Sequence, residues 1–180
     1  MSRKTIIGIA FTTIVLASGM TTKPVPGHTS TSEPTVKEPL LIPSRPVKLS
    51  STVKTTDLEK SIFDKINQYR ANKKLPKLKL DSKISQQARI HSQNMAKHRV
   101  PFSHNGFAKR VDGTFIRYNS ASENVAFNFG YEDPVAEAMK GWIESPGHLK
   151  NIKGKYNLTG VGVAVNSEDE YFLTQIFILD

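Results

Sequence analysis

Residues 57–180 of this chain read as an α+β domain, with helices packed on an antiparallel sheet, and three observations predict it. Between Leu58 and Trp142, apolar side chains return every three or four residues, the period of helix faces turned toward a core. From Leu158 to Val165, Gly and Val alternate, and Tyr171 to Leu179 forms a second apolar run. The charged Asn166–Glu170 turn between them makes the pair a hairpin. Helices first and strands last is an α+β order, distinct from the repeated strand–helix alternation of parallel sheets.

Taken in order, Thr56-Asp57-Leu58-Glu59 fits a capping box opening the first helix, with Leu58, Ile62, Ile66 and Tyr69 as its stripe and Phe63 beside them. Asn72 to Pro76 ends that helix. Leu78 and Leu80 lead to Asp81, the predicted cap of a second helix with the stripe Ile84, Ala88, His91 and Met95. Phe107 to Arg117 predicts a short helix interrupted at Asp112-Gly113. Asp133-Pro134 opens another helix, which turns Val135, Ala138, Met139 and Trp142 to the core. A new helix starts within three residues of Trp142. Ser145 suits its N-cap, and Pro146 suits its first position, where a missing N–H costs nothing.

Residues 1–19 read as a secretory signal peptide. Arg3-Lys4 is the charged region, Ile6 to Ala17 the apolar region, and Ala17-Ser18-Gly19 supplies small residues for cleavage before Met20. An uncleaved N-terminal anchor is the alternative, and Met20 in place of a Cys gives no support for lipid attachment. Residues 20–56, rich in Pro, Thr, Ser and Lys, are expected to be a disordered linker, since they carry too little apolar surface to offset the entropy of ordering. The chain is therefore expected to be secreted, acting extracellularly or in association with the cell wall, as a monomer. Cysteine is absent, which excludes disulfides and thiolate metal sites. The net charge of +9 divides into +5 up to Thr56 and +4 beyond it. It suits an anionic cell wall or membrane surface, and no basic run is interleaved with aromatics, so no nucleic-acid partner is expected.

The titratable residues narrow the chemistry. His28 falls in the linker, His91 sits on an apolar helix face as a hydrogen-bonded core histidine, and His98 is the solvated end of the same helix. His104 lies in the turn-rich loop Pro101–Gly106. His148 is placed on the first helical turn, where the dipole disfavours its protonated form. Neutral imidazole binds metal or accepts a proton, although the same position is also that of an ordinary surface residue. Glu123, in an apolar neighbourhood, must be paired or costly. Glu144 is the other acid close in pattern. Two imidazoles and a carboxylate are a first shell for Zn²⁺ or another divalent metal. The competing reading is a hydrogen-bonded cavity without an ion.

The order and spacing of several short pieces resemble the CAP superfamily (cysteine-rich secretory proteins, antigen 5 and pathogenesis-related 1), in its bacterial SCP-like extracellular branch. These pieces are Asn67 and Arg70, Ala88 with His91-Ser92, Ser103-His104, Glu123-Asn124-Val125-Ala126, Trp142 with Ser145-Pro146-Gly147-His148, Gly160-Val161-Gly162-Val163 and Thr174-Gln175-Ile176-Phe177. The resemblance implies an α-β-α sandwich, secretion, and a central cavity of two His and two Glu. His104, Glu123 and His148 match three of those four. In much of the superfamily the fourth acid stands three places after the tryptophan; here that place is Ser145, and Glu144 stands one residue earlier, a rotation of about 100° on a helix.

Two functions follow as expectations. One is a binding or interaction module at the cell envelope, its His/Glu cavity able to hold a divalent metal and its partner a cell-wall polymer or extracellular protein. The other is a metal-assisted hydrolase of peptides or esters, in which His104 and His148 hold the metal and Glu123 is the base.

Overall fold

The computed structural model describes residues 54–180. The signal-peptide and linker expectations therefore lie almost wholly outside the described residues. Helix α1 spans Thr55–Asn72 and is followed by strand β1 (Lys79–Leu80), α2 (Ser82–Ala96), α3 (Phe107–Asp112), β2 (Ser120–Phe129), α4 (Pro134–Glu144), α5 (Pro146–Lys153), β3 (Leu158–Val165) and β4 (Glu170–Leu179). No helix among the described residues is long and apolar enough to cross a membrane.

The predicted hairpin forms, with Val161 opposite Gln175. It becomes the centre of a four-stranded sheet of order β1-β3-β4-β2. The sheet is mixed, whereas an antiparallel one was expected: β1 runs parallel to β3, pairing Lys79 with Leu158 and Leu80 with Thr159. β2 was not foreseen as a strand, yet all ten of its residues pair with β4.

Side-chain alternation then builds an α-β-α sandwich. Val161, Val163, Leu173 and Phe177 point to one face and pack with Ile62 and Ile66 of α1, Trp142 of α4 and Ile152 of α5. Ile176 and Ile178 point to the other face, against Ile84 and Ala88 of α2 and Val111 of α3. Farther along α2, Met95 meets Val125, Ala164 and Phe172. The glycines of the Gly-Val repeat explain how closely α2 lies on β3. A Cβ at Gly160 would stand 2.2 Å from the Ser85 backbone nitrogen, and one at Gly162 would stand 2.2 Å from backbone atoms of Ala88 and Arg89.

Two expected caps are replaced. Asp81 caps α2 as predicted, accepting from the Lys83 and Ile84 N–H groups. However, α1 begins at Thr55, slightly before the expected boundary, with Lys54 as a cap that has no side-chain bond. Glu59, expected in a capping box, is buried instead. It accepts three bonds from Arg89 of α2 and a fourth from the Val163 N–H of β3. This joins the two helical layers across the edge of β3 that β1 leaves unpaired. Ser145 occupies the N-cap position of α5 but makes no side-chain cap bond. Its backbone closes both helices instead, the N–H donating to the Gly141 carbonyl and the carbonyl accepting from the Leu149 N–H.

Candidate functional site: a histidine pair across the edge of the sheet

Strand β2 is an edge of the sheet, and α4 and α5 cover its free side. Trp142 Nε1–H donates to the Val125 carbonyl at 3.0 Å, and the Asn151 amide donates to the Glu123 carbonyl at 3.2 Å. The same Asn151 amide reaches the Asn124 side chain, whose own amide donates to the His148 carbonyl. Period-two alternation then separates neighbours. Asn124 turns to the α5 layer, while Glu123 turns the other way, to the layer of α2 and α3.

On that side Glu123 is buried, with only 6 % of its surface exposed. Arg110 of α3 grips it with a two-pronged fork, Nη2 to Oε1 at 2.7 Å and Nε to Oε2 at 2.9 Å. Oε1 also accepts from His104 Nδ1 at 3.0 Å. Because a carboxylate accepts, His104 must carry its hydrogen on Nδ1, which leaves Nε2 with the lone pair when the ring is neutral. Arg110 further binds the carbonyls of Asn105 and His104, tying down the loop that bears His104. His91 supports the same loop from beneath, its Nε2–H donating to the Ser103 carbonyl at 2.9 Å. That bears out the reading of His91 as a hydrogen-bonded core histidine.

His148 comes from the opposite layer. Its ring centroid lies 6.3 Å from that of His104, at an interplanar angle of 44°. The two imidazoles thus face each other around the edge of the sheet, and Glu123 lies behind one of them. The structure brings His104, His148 and Glu123 together. Glu144 is exposed at the last turn of α4, and among the described residues it makes no ion pair and no hydrogen bond to either histidine.

Electrostatics follow from this placement. Burial pushes the His148 imidazole below its ordinary value of 6.5, and the nearby His104 adds to the effect. Burial also lowers His91, reinforced by the charge of Arg110. For Glu123, burial pushes upward, but the hydrogen bonds from His104 and Arg110 and the charge of Arg110 outweigh it and hold the carboxyl below 4.5.

Glu123 is held as a partner of Arg110 and His104 and is not presented as a free third ligand beside the two imidazoles. Both carboxylate oxygens of Glu123 are already engaged by a cation and an imidazole N–H, and no group of three His, Cys, Asp or Glu among the described residues is placed to hold an ion. Arg110 is the residue that sequence reasoning missed. The available signal was the cost of burying Glu123, which requires a cation, but nothing local distinguished Arg110 from its neighbour Lys109.

Comparison with known proteins agrees with this architecture. A model of the Cysteine-rich secretory protein family, CAP, matches residues 63–177. The uncharacterized protein YkwD of Bacillus subtilis is 35% identical over 125 residues, covering 67% of this chain and 46% of its own length. This chain thus spans less than half the length of that curated relative. Among solved structures, an extracellular SCP-domain protein of Bacillus anthracis is 31% identical with a TM-score of 0.58, covering 70% of this chain and 41% of the other. An outer surface protein of Borrelia burgdorferi shares the fold at 16% identity, with a TM-score of 0.63 and coverage of 71% and 96%.

Proposed function

Since the chain belongs to the cysteine-rich secretory protein (CAP) family, we propose that it is a binding module working outside the cell, and that its His104–His148 face receives a ligand without turning it over. The observation that carries this reading is the fork of Arg110 on Glu123. A general base needs a free lone pair and a pKa near the working pH. Glu123 is poorly suited on both counts, since three hydrogen bonds already occupy its two oxygens and its pKa is lowered. Its role is that of an orienting group, fixing the tautomer and direction of His104 as a carboxylate behind a binding histidine does.

Export is supported by the signal-like residues 1–19 and by the likeness to an extracellular SCP-domain protein. A metal-assisted hydrolase is the weaker reading, because the one carboxylate available to it is the clamped one. The test is a screen of peptide and ester substrates, with and without Zn²⁺, comparing the native chain with Glu123→Gln. The proposal expects no turnover that the substitution removes. Turnover abolished by Glu123→Gln in a folded protein would overturn it.

A further inference from the structure

One end of the sheet gathers seven of the eighteen basic side chains of residues 57–180 and the most exposed aromatic side chain among the described residues. The strand register defines that end as a single row across all four strands. Lys79 of β1 lies opposite Leu158 of β3, Leu158 opposite Ile178 of β4, and Ile178 opposite Ala121 of β2. Lys73, Lys74, Lys77 and Lys79 lie in one segment, Lys150, Lys153 and Lys155 in another, and all seven are exposed.

Buried Arg70 stitches these two segments together. Its guanidinium donates to the carbonyls of Pro76, Ile152, Gly154 and Tyr156 and to no carboxylate. A cation thus lies beneath a surface of cations. None of the seven lysines makes an ion pair among the described residues, although Lys73 lies over the Tyr69 ring. Without them the rest of residues 57–180 carries eleven basic and fourteen acidic side chains, a net of −3. These seven lysines outnumber the domain's net charge of +4. The acids bordering this end are Asp81, which caps α2, Asp112 at the end of α3, and Asp180, which pairs with the Asn157 side chain.

The same end presents apolar groups. Phe115, six residues before Ala121, is 90% exposed and has a left-handed backbone with φ of 56°. A bulky residue in that conformation is strained. Thr114 supports the turn, its hydroxyl donating to the Val111 carbonyl and accepting the Ile116 N–H. Tyr118 and Leu80, 42% and 53% exposed, stand near the same row.

We propose that this end of the domain docks on an anionic phospholipid surface, with the lysines in the headgroup layer and Phe115 inserted at its boundary. A soluble polyanion would use the charge alone and leave the outward Phe115 unexplained. Interfacial binding uses both, because charge attraction and apolar burial add at a bilayer surface.

The test uses the full chain carrying Phe115→Trp, whose emission reports residue 115 against Trp142, which is buried. Vesicles containing phosphatidylglycerol are expected to shift that emission to the blue, brominated lipid to quench it, and 0.5 M salt to reverse both. Phosphatidylcholine vesicles are expected to give no shift. Adding Lys77→Glu, Lys79→Glu and Lys155→Glu should reduce vesicle affinity at least tenfold. A matched set at the opposite end of the sheet and on α4, Lys97→Glu, Arg99→Glu and Lys140→Glu, should change it less than threefold. Reporting at residue 115 separates this docking from any insertion of the apolar Ile6–Ala17 stretch. An equal response to neutral vesicles, or equal losses in the two charge-reversed sets, would overturn the proposal. So would an absent shift accompanied by binding of soluble polyphosphate.

Discussion

Arg110 holds both oxygens of Glu123, at 2.7 and 2.9 Å, in a pocket that admits almost no solvent to the carboxylate. The fork makes Glu123 a fixed anchor for His104 rather than a free acid or base. Breaking it from the cation's side leaves a buried charge uncompensated, which costs about 3–5 kcal/mol. Arg110→Gln is therefore expected to lower stability by that amount in urea unfolding at pH 7. Arg110→Lys, which keeps the charge but loses the fork, is expected to fall between. A loss below 1 kcal/mol for Arg110→Gln would mean that water reaches Glu123.

The glycines of β3 give a steric prediction with an internal control. At Gly160 an added methyl meets the α2 backbone, which cannot move aside as a flexible side chain does. Gly160→Ala is expected to destabilise by about 1–3 kcal/mol, the usual cost of overpacking. Gly147, on the first turn of α5, has open space where a Cβ would stand. Gly147→Ala is expected to be neutral or to stabilise by about 0.4–1 kcal/mol, through a less flexible unfolded chain. Thermal melts of the two variants check the contrast.

Acid sensitivity follows from the three shifted groups. His91 and His148 have folded values below 6.5, so the unfolded chain binds their protons first as pH falls. Their contribution is complete above 6.5 and is lost progressively below it. Glu123, lowered from 4.5, adds a second loss as pH falls below that value. Urea midpoints should therefore decline from pH 6.5 downward and more steeply below 4.5. His148→Gln should flatten the first part of the decline. A midpoint unchanged between pH 7 and pH 5 would contradict these placements.

Metal binding offers a fourth check. With its oxygens engaged by Arg110 and His104, Glu123 is not expected to enter a ligand set. Calorimetric titration with Zn²⁺ should give no one-to-one binding that both His104→Ala and Glu123→Gln abolish, and a chelator should leave Tm unchanged. One-to-one binding lost in both variants would place the carboxylate at the ion.

What the sequence made legible was what local pattern controls. The stripes of α1, α2 and α4, the Asp81 and Asp133 caps and the β3–β4 hairpin are all set by residues a few positions apart. His104, His148 and Glu123 stood out as titratable residues away from the core stripes, but only the family resemblance placed them in one cavity, because their elements meet from opposite layers. β2 was hidden because its first half, Ser120–Asn124, is polar or small, and the alternation of Val125, Phe127 and Phe129 covers only its last five residues. Its polar side chains are stabilised instead by partners distant in sequence, Arg110 for Glu123 and Asn151 for Asn124. Glu59 misled for the same reason. Its position fits a capping box, yet a bidentate arginine thirty residues away and a strand N–H together outcompete one turn of helix.

The central claim, that Glu123 is a clamped anchor, is tested most directly by following its side-chain carboxyl carbon by NMR from pH 7 to pH 2. The account predicts a midpoint below the ordinary 4.5, rising when Arg110 is replaced by Gln. A midpoint above 4.5 in the native protein would contradict it, and would return Glu123 to the role of a proton-accepting base.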